Sequence, residues 1–201
     1  MKNYIVLAII ILFFSCGGGS EMEETIFIPD TNDKDLPAYS EWGYNSFGAM
    51  YERRYFFSTK DIVPCKVIYG NGKLTFTLSG RTGLSYSSRG NGDNLTLSIT
   101  FPVNTPINNY RDLLLLHQKI INLSDSSCEV RMTSNAIREE LTGLSGELTF
   151  NRAQLLRIND VENRIILSGT FELLFWRNQI PEIMSKGRFD VGITHVFISP
   201  L

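Results

Sequence analysis

Two stretches near the end of the chain alternate between apolar and polar residues, and this alternation limits the fold more than any other feature of the sequence. They are residues 165–176 and 187–198. Side chains alternate faces along a β-strand, so each stretch has one face suited to a core and one largely suited to water. We therefore predict two strands of an antiparallel β-domain. The residues predicted to face the core are Ile165, Leu167, Gly169, Phe171, Leu173, Phe175, Phe189, Val191, Ile193 and Phe197.

Shorter runs with the same alternation precede these strands, and turn signals separate them. Asn71-Gly72, for example, is a two-residue hairpin signal between the strand-like runs 65–69 and 74–80. About seven or eight short strands predict an all-β fold, either an antiparallel β-sandwich or an antiparallel β-barrel. The stretch 110–118 holds four consecutive leucines. It predicts one short helix, with an irregular crossover or a buried strand as alternatives.

Residues 1–15 have the composition of an export signal rather than of a folded domain. Lys2 precedes an apolar run over residues 4–14, which is shorter than the ~20 residues that a membrane-spanning helix needs. The run ends at Ser15-Cys16, and a small residue directly before a cysteine resembles a bacterial lipobox, although Phe13 stands where Leu, Ile or Val is usual. We predict a lipoprotein signal peptide and acylation of Cys16. The alternatives are a plain secretory signal and an uncleaved anchor.

Residues 16–43 are predicted to form a flexible acidic tether, and residues 44–201 the folded domain. Residues 17–20 have a linker composition, acidic residues follow them, and the rest of the stretch has no strand or helix periodicity. Cys16 is not followed by the Asp of the usual inner-membrane retention signal, and the acidic stretch resembles the surface-export signals of Bacteroidetes lipoproteins. We therefore expect a lipid-anchored protein of the cell envelope, at the outer membrane, facing the periplasm or the cell surface. The N-terminal lipid would then attach the protein to the membrane, which we expect as its partner.

The strands near the C-terminal end carry a resemblance to a known family. Gly146-Glu147-Leu148-Thr149, Ser168-Gly169-Thr170-Phe171 and Gly187-Arg188-Phe189-Asp190 resemble motifs of a family of small Bacteroidetes lipoproteins, and residues 45–49 resemble its opening strand. The resemblance spans most of residues 45–198. It implies a β-rich domain, lipidation and a location in the envelope. It implies no reaction and no catalytic residue, because none is established for the family.

Charge and composition limit the partners and the chemistry. The formal net charge is −2, which gives no electrostatic reason to expect a nucleic acid. The chain has two histidines and no Cys-x-x-Cys, phosphate-loop or nucleophile-elbow motif. We predict no metal, no cofactor and no nucleic-acid partner.

Cys65 and Cys128 lie on the apolar faces of strand-like runs. In an exported protein such a pair forms a disulfide or remains as two buried thiols, and the sequence leaves both alternatives open. His117 and His195 are general-base candidates in principle. A lone histidine on an apolar strand face is more typical of a hydrogen-bonded core residue, and we expect this for His195.

Trp176 shares its strand face with Glu172 and not with Phe171, so we expect it to be exposed and able to stack on a ligand, unless it packs beneath the loop predicted for residues 177–186. Glu172 and Asp190 are candidates for a carboxylate pair of the kind that hydrolyses glycosides, although the polar outer face of a sheet explains them as well. We predict a binding or scaffolding module with a protein or glycan partner. The alternatives are a carbohydrate-binding accessory protein and a carboxylate-dependent glycoside hydrolase.

Overall fold

The computed structural model describes residues 24–86, 92–134, 138–177 and 179–199, and it is mostly β-structure. The signal peptide predicted for residues 1–15 and the lipidation site Cys16 lie outside the described residues. The strands are β1 (Ser46–Tyr51), β2 (Arg54–Phe57), β3 (Cys65–Gly70), β4 (Lys73–Gly83), β5 (Asn94–Pro102), β6 (Lys119–Asn122), β7 (Glu129–Ser134), β8 (Arg138–Glu140), β9 (Thr142–Ile158), β10 (Val161–Arg177), β11 (Ile180–Ile193) and β12 (Phe197–Ile198), with a 3-10 helix over Tyr110–Leu116.

The strands join into a single sheet that curls into a half-barrel. Hydrogen-bonded neighbours follow the order β6-β9-β10-β11-β1-β2-β4-β5-β7-β8. Two strands share one edge of β4, since β3 pairs with residues 73–78 and β2 with residues 81–83. The pairs along this order are antiparallel, whereas β12 pairs in parallel with β3.

The two halves of the curled sheet pack face to face across one hydrophobic core. The ring of Phe150, in β9, lies with its centroid 5.3 Å from that of Phe76, 6.1 Å from that of Phe101 and 5.5 Å from that of Phe189. The all-β prediction is therefore confirmed. One continuous sheet supplies both of the packed faces that two separate sheets supply in a β-sandwich.

The alternation that predicts the core is confirmed in β10 and in β11. Every residue predicted to face the core is buried except Phe197, whose side chain is 47% exposed. This one prediction is wrong because β11 ends at Ile193, where the chain leaves the sheet. Val196 is buried in place of Phe197, which begins the edge strand β12. His195 is exposed as well, so its prediction as a core residue is also wrong.

The short helix predicted near residues 110–118 is the 3-10 helix. The Asn109 side chain accepts a hydrogen bond from the backbone N–H of Arg111 at 2.9 Å, and the Asp112 carboxylate accepts one from the N–H of Asn109 at 3.1 Å, so the first turn is capped. Leu113 and Leu116 are three residues apart, share one face of the helix and are buried. No helix in the described part of the chain is both long and apolar enough to cross a bilayer.

Residues 24–45, here called the N-terminal strap, pack on the domain. Thr25 and Leu36 are buried, and the ring of Phe27 stacks on that of Tyr86 with centroids 3.4 Å apart. The flexible tether predicted for residues 16–43 is therefore wrong for its described part, residues 24–43, and the folded domain begins before residue 44. The strap buries side chains one at a time in irregular backbone, so it shows no periodicity in the sequence.

Candidate functional site

A cleft of about 390 Å³ lies at one open end of the half-barrel, and we call it the mouth cleft. Glu52 and Arg53, in the β1–β2 turn, border it on one side, and Arg177, the last residue of β10, borders it on another. Leu95 and Met132 form its apolar floor and are 4% and 0% exposed. Small ligands bind most often in clefts of this size that combine an apolar floor with a few polar groups.

Strand register explains why polar side chains gather at this end. Tyr51 and Arg54 lie opposite each other in the β1–β2 pair, so both project from the inner face of the sheet. Leu95 lies opposite Ser134 in the β5–β7 pair, and Asp93 precedes Leu95 by two residues, which gives it the same strand parity. The inner face is apolar through the core and becomes polar at these last positions.

A partly buried ion pair forms one wall of the mouth cleft. The Arg177 guanidinium donates to Glu182 Oε1 from Nε at 2.7 Å and from Nη2 at 2.5 Å, while the Tyr51 hydroxyl donates to Glu182 Oε2 at 2.5 Å. Burial of the phenol, and its hydrogen bond to the Glu182 carboxylate, raise the pKa of Tyr51 above its usual range. Tyr51 therefore stays protonated, and Glu182 neutralises the charge of Arg177.

Three charged side chains that line the mouth cleft are exposed and have no ion-pair or hydrogen-bond partner within the described residues. They are Arg53, Arg54 and Asp93. A fourth, Glu52, accepts a hydrogen bond at its Oε1 from the backbone N–H of Ile183 at 2.7 Å. The cleft thus offers charges of both signs to a ligand beside an apolar floor.

Trp176 lies on the outer face of the sheet, close in sequence to the mouth cleft. Its side chain is 47% exposed, so the prediction of an exposed tryptophan is confirmed. Residues 180–186 belong to β11 and are not part of a loop, and Pro181 lies directly opposite Trp176. Leu174 and Ile183 form the next pair of opposed residues and are 42% and 48% exposed. We call these four residues the Trp176 patch.

The carboxylate pair predicted from Glu172 and Asp190 does not form. Asp190 lies opposite Ser168 in the β10–β11 pair, and Glu172 is four residues further along β10. Glu172 lies instead directly opposite Glu147 of β9, on an exposed face where two like charges repel each other. The glycosidase alternative therefore loses the two residues on which it depended.

Asp190 holds the N-terminal strap, although the sequence analysis placed it on a solvated face. Its side chain is 2% exposed. Its carboxylate accepts hydrogen bonds from the backbone N–H groups of Trp42 at 3.1 Å, Gly43 at 2.7 Å and Tyr44 at 3.2 Å, and from the Ser40 hydroxyl. Gly43 has a φ of +76°, which lets three consecutive N–H groups converge on one anion.

Cys65 and Cys128 are free thiols, so the disulfide alternative is wrong. Cys65 lies opposite Leu78 of β4, whereas Cys128 directly precedes β7. Two strands, β4 and β5, lie between β3 and β7, so about 14 Å of sheet separates the cysteines, more than a disulfide spans. Burial raises the pKa of both thiols, which disfavours the nucleophilic thiolate form.

The two histidines lie in different parts of the molecule. The exposed His117 accepts a hydrogen bond at Nδ1 from the backbone N–H of Ala153 at 3.2 Å, and His195 packs edge-on against the ring of Phe197. Within the described residues, no group of three or more His, Cys, Asp or Glu side chains is arranged to hold a metal ion.

The chain matches no family model, and comparisons with curated proteins and with solved structures also returned no match. The resemblance to Bacteroidetes lipoproteins therefore stays a prediction. The fold and its open end define an all-β half-barrel with a preformed cleft.

The sequence analysis did not predict the mouth cleft, although the sequence contains one signal of this site. Arg53 and Arg54 interrupt an aromatic, strand-like run, and two arginines at a hairpin turn are a candidate rim for a site. Asp93 and Met132 carried no such signal, because only the order of the strands in the sheet brings them near the turn.

Proposed function

We propose that this protein is a binding module of the cell envelope, held at a membrane by a lipid on Cys16, which takes a small ligand in the mouth cleft. The observation that carries this proposal is the preformed cleft itself, with an apolar floor of Leu95 and Met132. Above the floor lie the charges of Arg54 and Asp93, which have no partner in the part of the chain that the structure describes. The wall of the cleft is held by the ion pair described above, so little ordering entropy opposes binding.

The geometry of the strap supports the anchored part of the proposal. Glu24, its first described residue, forms an ion pair with Lys60, which follows the end of β2 that is remote from Arg54 and the mouth cleft. Only seven residues lie between Cys16 and Glu24, and the eight Cα–Cα steps between the two reach at most about 27 Å when extended. A lipid on Cys16 would therefore hold the domain close to the bilayer, by the side away from the cleft.

Lipidation is tested by metabolic labelling. The wild-type protein should incorporate a labelled fatty acid and fractionate with membranes, whereas Cys16→Ala should lose both properties. A wild-type protein that takes up no labelled lipid would refute the anchored part of the proposal. That result would have no bearing on ligand binding in the mouth cleft.

Ligand binding is tested at a residue of the cleft floor. The chain has five methionines, and methyl-labelled methionine gives each of them a separate NMR signal that methionine-to-leucine variants assign. Mixtures of small molecules should shift the Met132 methyl signal and leave that of Met50, on the outer face of β1, unchanged. If no mixture shifts Met132 more than Met50, the cleft is not a ligand site.

The Trp176 patch favours a second candidate function, the capture of a carbohydrate by stacking. A half-exposed tryptophan on a strand whose other face is buried from Ile165 to Phe175 is a rigid platform. The chain has two tryptophans, so Trp42→Phe leaves Trp176 as the only indole, which can be excited at wavelengths that the tyrosines do not absorb. Soluble polysaccharides should then quench its emission saturably, and the reverse variant, Trp176→Phe, should give no such response. The aliphatic neighbours Leu174 and Ile183 suit a protein partner equally well. Saturable quenching by a polysaccharide would decide between the two in favour of the glycan.

A further inference from the structure

We infer that the ligand of the mouth cleft is a short peptide of two or three residues, bound through both of its charged termini. This inference rests on the binding function proposed above. It comes from the sign, the spacing and the surroundings of the charges that have no partner within the described residues.

The unpaired charges differ in sign from one side of the cleft to the other. Arg53 and Arg54 lie where the β1–β2 turn meets β2, whereas Asp93 lies just before β5. None of the three has a partner among the residues that the structure describes. A ligand with an anionic group at one end and a cationic group at the other satisfies both sides. Guanidinium groups bind carboxylates with two parallel hydrogen bonds, and an aspartate accepts from an ammonium group.

The spacing of these charges exceeds the size of a single amino acid. The Asp93 carbonyl accepts a hydrogen bond from the N–H of Thr82 at 2.9 Å, and Thr82 lies opposite Phe56, two residues from Arg54. Arg54 and Asp93 are therefore two strand spacings apart across the sheet and two residues apart along it, so about 12 Å separates their backbones. In a free amino acid both charged groups attach to one carbon. An extended peptide adds about 3.5 Å per residue, so two or three residues have the length to reach from one side of the cleft towards the other.

The surroundings of the charges suit a peptide better than a simple anion. Leu95 and Met132 offer an apolar floor to a side chain, and methionine adapts to side chains of different shape. Thr82 and Ser134 also line the cleft. Glu182 neutralises Arg177, and the carboxylates of Glu52 and Asp93 offset the two remaining arginines. The cleft therefore has no excess of positive charge for inorganic phosphate or another polyanion.

The test uses the full chain in detergent with labelled methionine and the tripeptide Ala-Leu-Ala in three forms: with both termini free, with an acetylated N-terminus and with an amidated C-terminus. The free peptide should shift the Met132 signal and not the Met50 signal. Each blocked peptide should bind about tenfold more weakly, because each lacks one charge-assisted hydrogen-bonded contact. If the blocked peptides bind as well as the free one, the inference is wrong.

Two variants assign each terminus to its side of the cleft. Asp93→Asn should weaken the free peptide about tenfold and leave the affinity for the acetylated peptide unchanged. Arg54→Gln should weaken the free peptide similarly and leave the affinity for the amidated peptide unchanged. Equal losses for every peptide form would contradict the assignment.

The same spectra separate the inference from the proposed function. If small-molecule mixtures shift Met132 and the free peptide does not, the peptide inference fails and the binding function stands. If neither shifts Met132, both fail.

Discussion

The hairpin formed by β10 and β11 and the N-terminal strap are both packed against the same domain, yet they are stabilised in different ways. The hairpin buries a whole face, residue after alternate residue, from Ile165 to Phe175 and from Phe189 to Ile193. The strap buries few large apolar side chains, Leu36 among them, and is held at separate points by polar contacts. The comparison shows that a folded segment can lack periodicity when single residues hold it.

The largest expected effect tests the hairpin. Phe189→Ala should destabilise the protein by about 3–5 kcal/mol in urea unfolding, because the ring is 1% exposed and its removal leaves a cavity beside Phe76 and Phe150. Trp176→Ala removes an aromatic ring of similar size from the same hairpin, but from its exposed face, and should cost about 1 kcal/mol or less. Similar losses in the two variants would mean that the assignment of the two faces is wrong.

A smaller effect is expected where one residue holds the strap. Asp190→Asn should cost about 1–3 kcal/mol, because the carboxylate accepts bonds from three backbone N–H groups and a hydroxyl, and an amide presents a single acceptor oxygen in its place. The matched control is Glu172→Gln, an equally conservative change at an exposed position of the same hairpin, and it should cost about 0.5 kcal/mol or less. Equal, negligible costs would show that the carboxylate does not hold the strap.

Acid should weaken the polar contacts that hold the strap. A hydrogen bond from the Asn32 N–H, together with Arg188, lowers the pKa of Asp30, and Arg152 and Tyr39 lower that of Glu41. A carboxyl with a lowered folded-state pKa stabilises the protein above its unfolded pKa, and this stability is lost as the pH falls through the folded value.

The loss should therefore begin below about pH 4.5, near the unfolded pKa values. Urea unfolding at pH 6 and at pH 3.5 measures it in the wild type and in the double variant Asp30→Asn, Glu41→Gln. The double variant should lose less stability on acidification. An equal loss in both proteins would place the acid-sensitive groups elsewhere.

The smallest effect is expected at the strap's exposed ion pair. Arg152 and Glu41 lie 2.8 Å apart, with side chains 41% and 34% exposed. Water and salt screen such a pair, so Arg152→Gln should cost about 0.5 kcal/mol or less. A double-mutant cycle with Glu41→Gln measures the coupling. A coupling well above 1 kcal/mol would show that ion pairs at the edge, and not Asp190, hold the strap.

The sequence predicted the hairpin better than the strap. The reason is that the hairpin buries a periodic face, whereas the strap is held at single residues. Alternation with a period of two located the core of β10, because each residue there meets the same environment as the second residue after it. The same rule failed at Asp190 and Ser168, which have the parity of a solvated face but are covered by the strap. It failed at Phe197 because nothing in the local pattern marks the end of β11 at Ile193.

The mouth cleft was beyond prediction for a related reason. Arg54 and Asp93 are far apart in the sequence, and they come near each other only because β4 pairs with both β2 and β5. Strand order is a long-range property of the fold, and a hydrophobic pattern carries no information on it. The exposure of Trp176, by contrast, was predicted correctly because it depends only on strand parity.

Native-state hydrogen exchange at neutral pH tests most directly the claim that the strap is part of the folded domain. Exchange of the amides of Trp42, Gly43 and Tyr44 should be slowed strongly in the wild type, since each donates to the buried Asp190 carboxylate. In Asp190→Asn, these three amides should lose much of that protection while the amides of β10 and β11 keep theirs. Exchange of the strap amides in the wild type at the rate of an unstructured peptide would contradict the account.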